Sequence, residues 1–208
     1  MIRYVDQSYE IITPLTPELG AAMVKNIELT ARICYQSESK TDEINEKLIH
    51  RLIKSGHHAM FEHGSVQVHV TVSKAIASEL EEAHPAASYA QASTRYIKYN
   101  KRVDIVRGGG WNGLHSEHYD RAFRSAIDAY HMLLNAGVPA EHARDVLPLA
   151  LATQLMITAN LREWMHIFKQ HTDSAAHPDM QALMGAILEE FRANIPIMFE
   201  EKYRNYWS

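Results

Sequence analysis

The most constraining stretch of the chain is Ser65-Val66-Gln67-Val68-His69-Val70-Thr71-Val72-Ser73, where four valines alternate with polar residues. Successive side chains of a strand point to opposite faces, so this period of two predicts a β-strand with one apolar, buried face and one polar face. A helix would scatter the same valines around its surface.

Around this strand the chain alternates between the two periods. Residues 2–13 mix β-branched and aromatic residues with polar ones and stop at Pro14, which predicts a strand. Thr16 is placed to cap a helix whose apolar face is Ala21, Met23, Val24, Ile27 and Ala31, ending near Cys34. Thr41-Asp42-Glu43 opens a second helix with Ile44, Leu48, Leu52 and Ile53 as its stripe, closed by Gly56. Ser73 to His84 reads as a helix stopped by Pro85. Strand signals return at 96–99 and 103–106, followed by a long amphipathic helix over 116–136 that Gly137 closes. Pro139 starts a short helix leading to Arg144. Residues 149–158 read as a strand, with helix as a competitor because of the alanines. Asn160 caps a helix to about Gln170, and 178–194 carries Met180, Leu183, Met184, Ile187, Leu188 and Phe191 on one face. The reading is α+β, with residues 1–208 as one domain.

The net charge of −4 disfavours nucleic acid and membrane surfaces as partners. One cysteine, Cys34, excludes an internal disulfide, and the N-terminus has no signal-peptide pattern, so a cytoplasmic location is expected. No apolar run approaches the roughly 18 residues of a membrane span.

Four clusters hold more polar groups than packing requires: GHHAMFEH (56–63), SYAQASTRY (88–96), RDVLP (144–148) and ANLREWMHIFKQH (159–171). In the first, His57, His58, Glu62 and His63 are metal-ligand types, but neither an H-E-x-x-H helix nor a cysteine cluster is present. Histidines satisfying loop backbone explain them, and no metal is expected. In the second, small residues permit close backbone approach, Ser93 offers a hydroxyl and Arg95 a bidentate anion contact; a surface turn is the alternative. In the fourth, Arg162, His166 and Lys169 recur at helical spacing, as they would on a solvated helix face.

Taken in order, ARICYQS (31–37), GHHAMFEH, SYAQASTRY, RDVLP, NLREWMHIFK (160–169) and AHPDMQ (176–181) resemble the flavin-dependent thymidylate synthases over nearly the whole chain. The resemblance implies a mainly antiparallel sheet flanked by helices, a homotetramer with active sites at subunit junctions, and reductive methylation of dUMP to dTMP. Methylene-tetrahydrofolate would give the carbon, and FAD reduced by NADPH the hydride. It places His57, Glu62, His84, Gln91, Asn160, Arg162 and His166 at the flavin. Gln91, Ser93, Arg95 and Arg144 fall where the family holds the nucleotide, and His171 falls where it reads the pyrimidine ring and acts in catalysis.

The chain also departs from the family pattern. Ala83-His84-Pro85 stands in place of R-H-R, His171 replaces an arginine, and Ala59 stands where a hydroxyl residue often faces the flavin. Arginine to histidine exchanges a permanent five-donor fork for a ring that also accepts. Three functions are consistent with this pattern: C5 methylation of dUMP, methylation of another pyrimidine nucleotide (UMP, a cytidine nucleotide or a modified base), or a catalytically silent nucleotide-binding homotetramer.

Overall fold

The structure, a computed structural model, describes all residues except 35, 39–42, 112, 114 and 208. In chain order the first half contains β1 (Ile2–Val5), β2 (Ser8–Ile11), α1 (Pro17–Cys34), α2 (Glu46–Lys54), a 3-10 helix (His58–His63), β3 (Ser65–Ser73), α3 (Lys74–Ala83) and β4 (Ser88–Gln91). The second half contains β5 (Val103–Val106), α4 (Ser116–Asn135), α5 (Ala140–Ala143), β6 (Ala152–Asn160), α6 (Leu161–His171), α7 (Pro178–Asn194) and α8 (Pro196–Phe199). Helices flank an antiparallel sheet of order β2-β3-β6-β4, and a separate parallel pair joins β1 to β5.

The chain divides into two compact units: a first of residues 1–8, 70–83 and 89–156, and a second of 9–69, 84–88 and 157–208. Within the first, β1 and β5 pair in register from Ile2 with Val103 to Val5 with Val106. Val103 and Ile105 of β5 form a core with Ile127 of α4 and Leu151, against which Tyr4, Trp111 and Phe123 pack. The start of α3 is tied down by Lys74 N–H to Leu151 O at 2.9 Å and Ala75 N–H to Leu149 O at 3.2 Å.

Within the second unit, Trp164, Phe168, Phe191, Phe199 and Trp207 stack ring on ring with centroids 5.0–5.8 Å apart, the range aromatic pairs favour. Trp164 Nε1–H donates to Val66 O at 3.0 Å, and Leu161 N–H to Gly64 O at 2.9 Å. These two bonds fix the start of α6 against β3. Gly20 sits in α1 because a Cβ there would lie 2.0 Å from the carbonyl oxygen of Asn194.

Several expectations needed correction. Residues 2–13 form two short strands rather than one. The strand expected at 96–99 is a turn, because Ser93 O accepts both Tyr96 N–H (3.3 Å) and Ile97 N–H (3.0 Å) and folds the backbone back. A strand instead occupies Ser88–Gln91, inside the stretch read as a loop. Thr41 and Asp42 lie outside the described residues, and the second helix starts at Glu46, where Asn45 Oδ1 accepts Leu48 N–H at 3.1 Å. At 149–158 the strand prevails over helix, with alternating burial along β6.

The buried carboxylate of Glu28 joins α1 to the start of α2. It accepts Asn45 N–H at 3.0 Å and meets Arg32 at 2.8 Å and Lys25 at 3.3 Å. Burial raises its pKa, but the Asn45 N–H, Arg32 and Lys25 together outweigh that and hold it below the ordinary 4.5. Its stabilisation is therefore present above the unfolded value and lost as pH falls through the lowered folded one. Glu28→Gln is expected to cost about 3–5 kcal/mol, as for a buried pair broken on one side. Denaturant unfolding measured from pH 7 to 3 checks this: the variant should lose less stability on acidification than the wild type, and an unchanged midpoint would contradict the role.

Candidate functional site

In the second unit, α6 places four of the expected residues. Asn160 Oδ1 accepts Glu163 N–H at 2.8 Å, so its side-chain oxygen caps the helix. Arg162, one residue into the helix, reaches across to the 3-10 helix, where its Nη1 meets Glu62 Oε1 at 2.7 Å with both side chains nearly half exposed. His166 is half-buried, one turn further along the helix. Lys169 is exposed and its Nζ donates to Trp207 O. His57 is exposed, whereas His58 is buried with Nε2 3.1 Å from Ile53 O, the backbone-satisfying part expected of loop histidines. Among the described residues, no three of His, Cys, Asp and Glu converge to hold a metal.

His84 and His171 come together inside the same unit. Their exposures are 0% and 2%, and their Nε2 atoms lie 2.7 Å apart. On its other side, His84 Nδ1 lies 3.2 Å from Glu163 Oε1, and the His166 ring stands edge-on at 5.1 Å. Burial, with His171 and His166 nearby, pushes the His84 pKa down to about 3. Its contact with Glu163 is therefore a hydrogen bond from a neutral ring, not an ion pair. A carboxylate only accepts, so the His84 proton sits on Nδ1, and His171 Nε2–H donates to the bare His84 Nε2. The resemblance assigns His84 to the cofactor and His171 to the base; within this chain both rings are interior and joined to each other.

Of the residues that the resemblance places at the nucleotide, Gln91, Ser93, Arg95 and Arg144 lie in the first unit and His171 in the second. Gln91 ends β4, and its Oε1 accepts a short bond from Lys74 Nζ, which also donates to Ala92 O at 3.3 Å. Arg144 Nη1 donates to Thr94 Oγ1 at 3.1 Å and its Nε to Glu141 O at 3.2 Å. Arg95 is exposed, pairs with Glu141 at 3.3 Å, and its own N–H donates to Ser93 Oγ at 3.3 Å. A cavity of about 240 Å³ is lined by Lys74, Glu81, Gln91, Thr94 and Arg144 together with the apolar Leu147, Pro148, Leu149 and Leu151. Gln91 and Arg144 therefore converge, while the half-buried Ser93 and the exposed Arg95 form a neighbouring group.

Lys74, Thr94 and Glu163 escaped the sequence reading. Lys74 carried a signal: it is the first residue of a helix with no acid in its first turn, where the dipole disfavours a cation. Glu163 carried none, because a glutamate in a first helical turn is ordinary.

The buried histidines link stability to pH. Because the folded His84 value lies below its ordinary 6.5, the unfolded chain takes up a proton that the folded one refuses. The contribution is complete above pH 6.5 and is lost as pH falls towards 3. In His84→Gln the decline of unfolding free energy across that window should be shallower than in the wild type, as read from denaturant midpoints; equal slopes would contradict the buried neutral ring.

A sequence model of the family described as thymidylate synthase complementing protein matches residues 20–197. The flavin-dependent thymidylate synthase of Geobacter sulfurreducens is 31% identical over 205 residues, covering 89% of this chain and 83% of the relative. That of Thermotoga neapolitana is 32% identical over 176 residues, covering 82% and 81%. Among solved structures, the UMP/dUMP methylase PolB of Streptomyces cacaoi, bound with 5-bromo-dUMP, superposes with a TM-score of 0.75 at 22% identity. It covers 96% of this chain and 95% of that one, so the fold is shared throughout. On the family match and these identities, the chain belongs to the flavin-dependent thymidylate synthases and is a methyltransferase-like enzyme.

Proposed function

We propose that the protein methylates C5 of a pyrimidine nucleoside monophosphate, with dUMP as the substrate, methylene-tetrahydrofolate as the carbon donor and NADPH as the reductant. The observation that carries this reading is the first-unit cavity, where Gln91 and Arg144 meet. Both are positions that the family resemblance assigns to the nucleotide. Arg144 offers a charge-assisted contact to phosphate oxygens. The Arg95 guanidinium lies over the Tyr96 ring and makes an exposed ion pair with Glu141, worth about 0–1 kcal/mol, which a phosphate dianion would displace. Ser93 adds a hydroxyl beside it.

Arg162, His57 and His166 in the second unit are an exposed cation, an exposed imidazole and a half-buried one, and they fit an anionic cofactor such as FAD. Glu62 holds the Arg162 fork in place. Asn160 uses its oxygen on the helix start, which leaves the amide donors for a ligand. His84 does not fit a direct contact, because its buried ring is bonded to Glu163 and His171. When bound, FAD supplies the hydride; the chain's own groups bind and orient. His171, which the family position assigns to the base, is likewise buried with its Nε2 on His84 and does not fit a direct contact through that atom. A homotetramer in the cytoplasm completes the reading. Among the described residues no helix is long and apolar enough to cross a membrane.

Tritium release from C5-labelled dUMP, in the presence of FAD, methylene-tetrahydrofolate and NADPH, tests the proposal. The wild type should release tritium, and Arg144→Ala should lower kcat/KM by about 10- to 100-fold, the loss of a charge-assisted bond of roughly 1.5–3 kcal/mol. Release from UMP or a cytidine nucleotide but not dUMP would transfer the activity to another pyrimidine. No release from any of them would overturn it.

A further inference from the structure

We propose that Lys74 is an additional binding and positioning residue of the first-unit cavity, one that turns it into a donor-rich pocket selective for a phosphate monoester. This rests on the nucleotide reading above and extends it to a residue outside the six matching motifs.

Lysine only donates, so the Gln91 atom that meets its ammonium must be the carbonyl oxygen. The Gln91 amide is thereby oriented, and the end left for a ligand is its NH2 group. Arg144 likewise only donates; its bond to Thr94 Oγ1 uses that oxygen as acceptor and leaves the hydroxyl hydrogen to donate. The polar side chains around the cavity thus present an ammonium, a guanidinium, an amide NH2 and a hydroxyl, with Glu81 as the one acid in the lining. Ser78, also in the lining, donates to Glu82 at 2.9 Å. Phosphate oxygens, which only accept, complement such a set. A uracil ring, with its N3–H, would leave a donor facing donors.

Charge favours the same occupant. Lys74 and Arg144 share the cavity with one carboxylate, so its titratable lining carries an excess positive charge. Burial lowers the Lys74 pKa most; Glu81 opposes that and Arg144 adds to it, so the two cations repel across the pocket. Lys74 also opens α3, a 10-residue helix whose N-terminal end is partially positive and has no acid in its first turn. An anion in the cavity relieves all three. Position is assured by the Lys74 backbone: its N–H donates to Leu151 O, and Leu151 itself lines the cavity.

Binding of dUMP, deoxyuridine and inorganic phosphate to the full-length protein, by calorimetry and phosphorus NMR titration, tests the inference. Lys74→Met should weaken dUMP and inorganic phosphate by about tenfold or more while changing deoxyuridine less than about twofold, and Lys74→Arg should recover most of the loss. A merely structural lysine would weaken all three ligands alike. Unchanged affinity of Lys74→Met for dUMP and phosphate, or an equal loss for deoxyuridine, would overturn the proposal. If Lys74→Met fails to fold, Gln91→Glu carries the test: its carboxylate keeps an acceptor for Lys74 but removes the amide donors, and undiminished phosphate binding would overturn it. A wild type that binds phosphate but no nucleotide would refute the nucleotide reading and leave this inference standing; a wild type that binds no phosphate would refute this one.

Discussion

In each unit the candidate groups depend on the register of β3. Val66, Val68, Val70 and Val72 are each completely buried, and a slip by one residue would put Gln67, His69 and Thr71 in their place. At its start, Gly64 and Val66 offer carbonyls to Leu161 N–H and the Trp164 indole, which sets where α6 begins and so where Arg162, Glu163, His166 and His171 fall. At its end, Ser73 hands directly to Lys74, whose side chain meets Gln91. The same strand thus sets the start of α6 in the second unit and, separately, the start of α3 in the first.

The departures from the family pattern acquire a physical shape. Where the family has R-H-R, this chain has Ala83-His84-Pro85, and the central histidine turns inward to Glu163 and His171. A buried arginine at position 171 would bring a permanent charge into an interior that His84 can occupy only as a neutral ring. With His171 in place, His84 has a second ring within hydrogen-bond distance, 2.7 Å away. The positive charge that remains at the surface of that unit includes Arg162, held beside Glu62.

How much of this was legible in the sequence depended on how local the determinants were. The period-two valines of β3, the Asn160 cap and the apolar stripe of α7 are local and were read correctly. The turn at 96–97 was misread because Tyr96 and Ile97 have strand propensity, and only the Ser93 carbonyl, which gathers two N–H groups, overrides it. Site pairing was less legible still. Glu163 with His84 spans 79 residues and His84 with His171 spans 87, separations across which no spacing rule operates. The resemblance supplied positions for His84 and His171 but not their partners. Lys74 lay outside its motifs altogether, and only the cavity brought it beside Arg144.

The proposed function has this chain use a flavin and a pyrimidine nucleotide without the two arginines of the R-H-R motif. The most direct measurement is the visible absorbance spectrum of the purified protein after FAD addition and desalting, and again on titration with dUMP. Retained flavin whose bands shift to saturation with dUMP is the expected result. A protein that emerges from desalting colourless, even after saturating FAD, would contradict it.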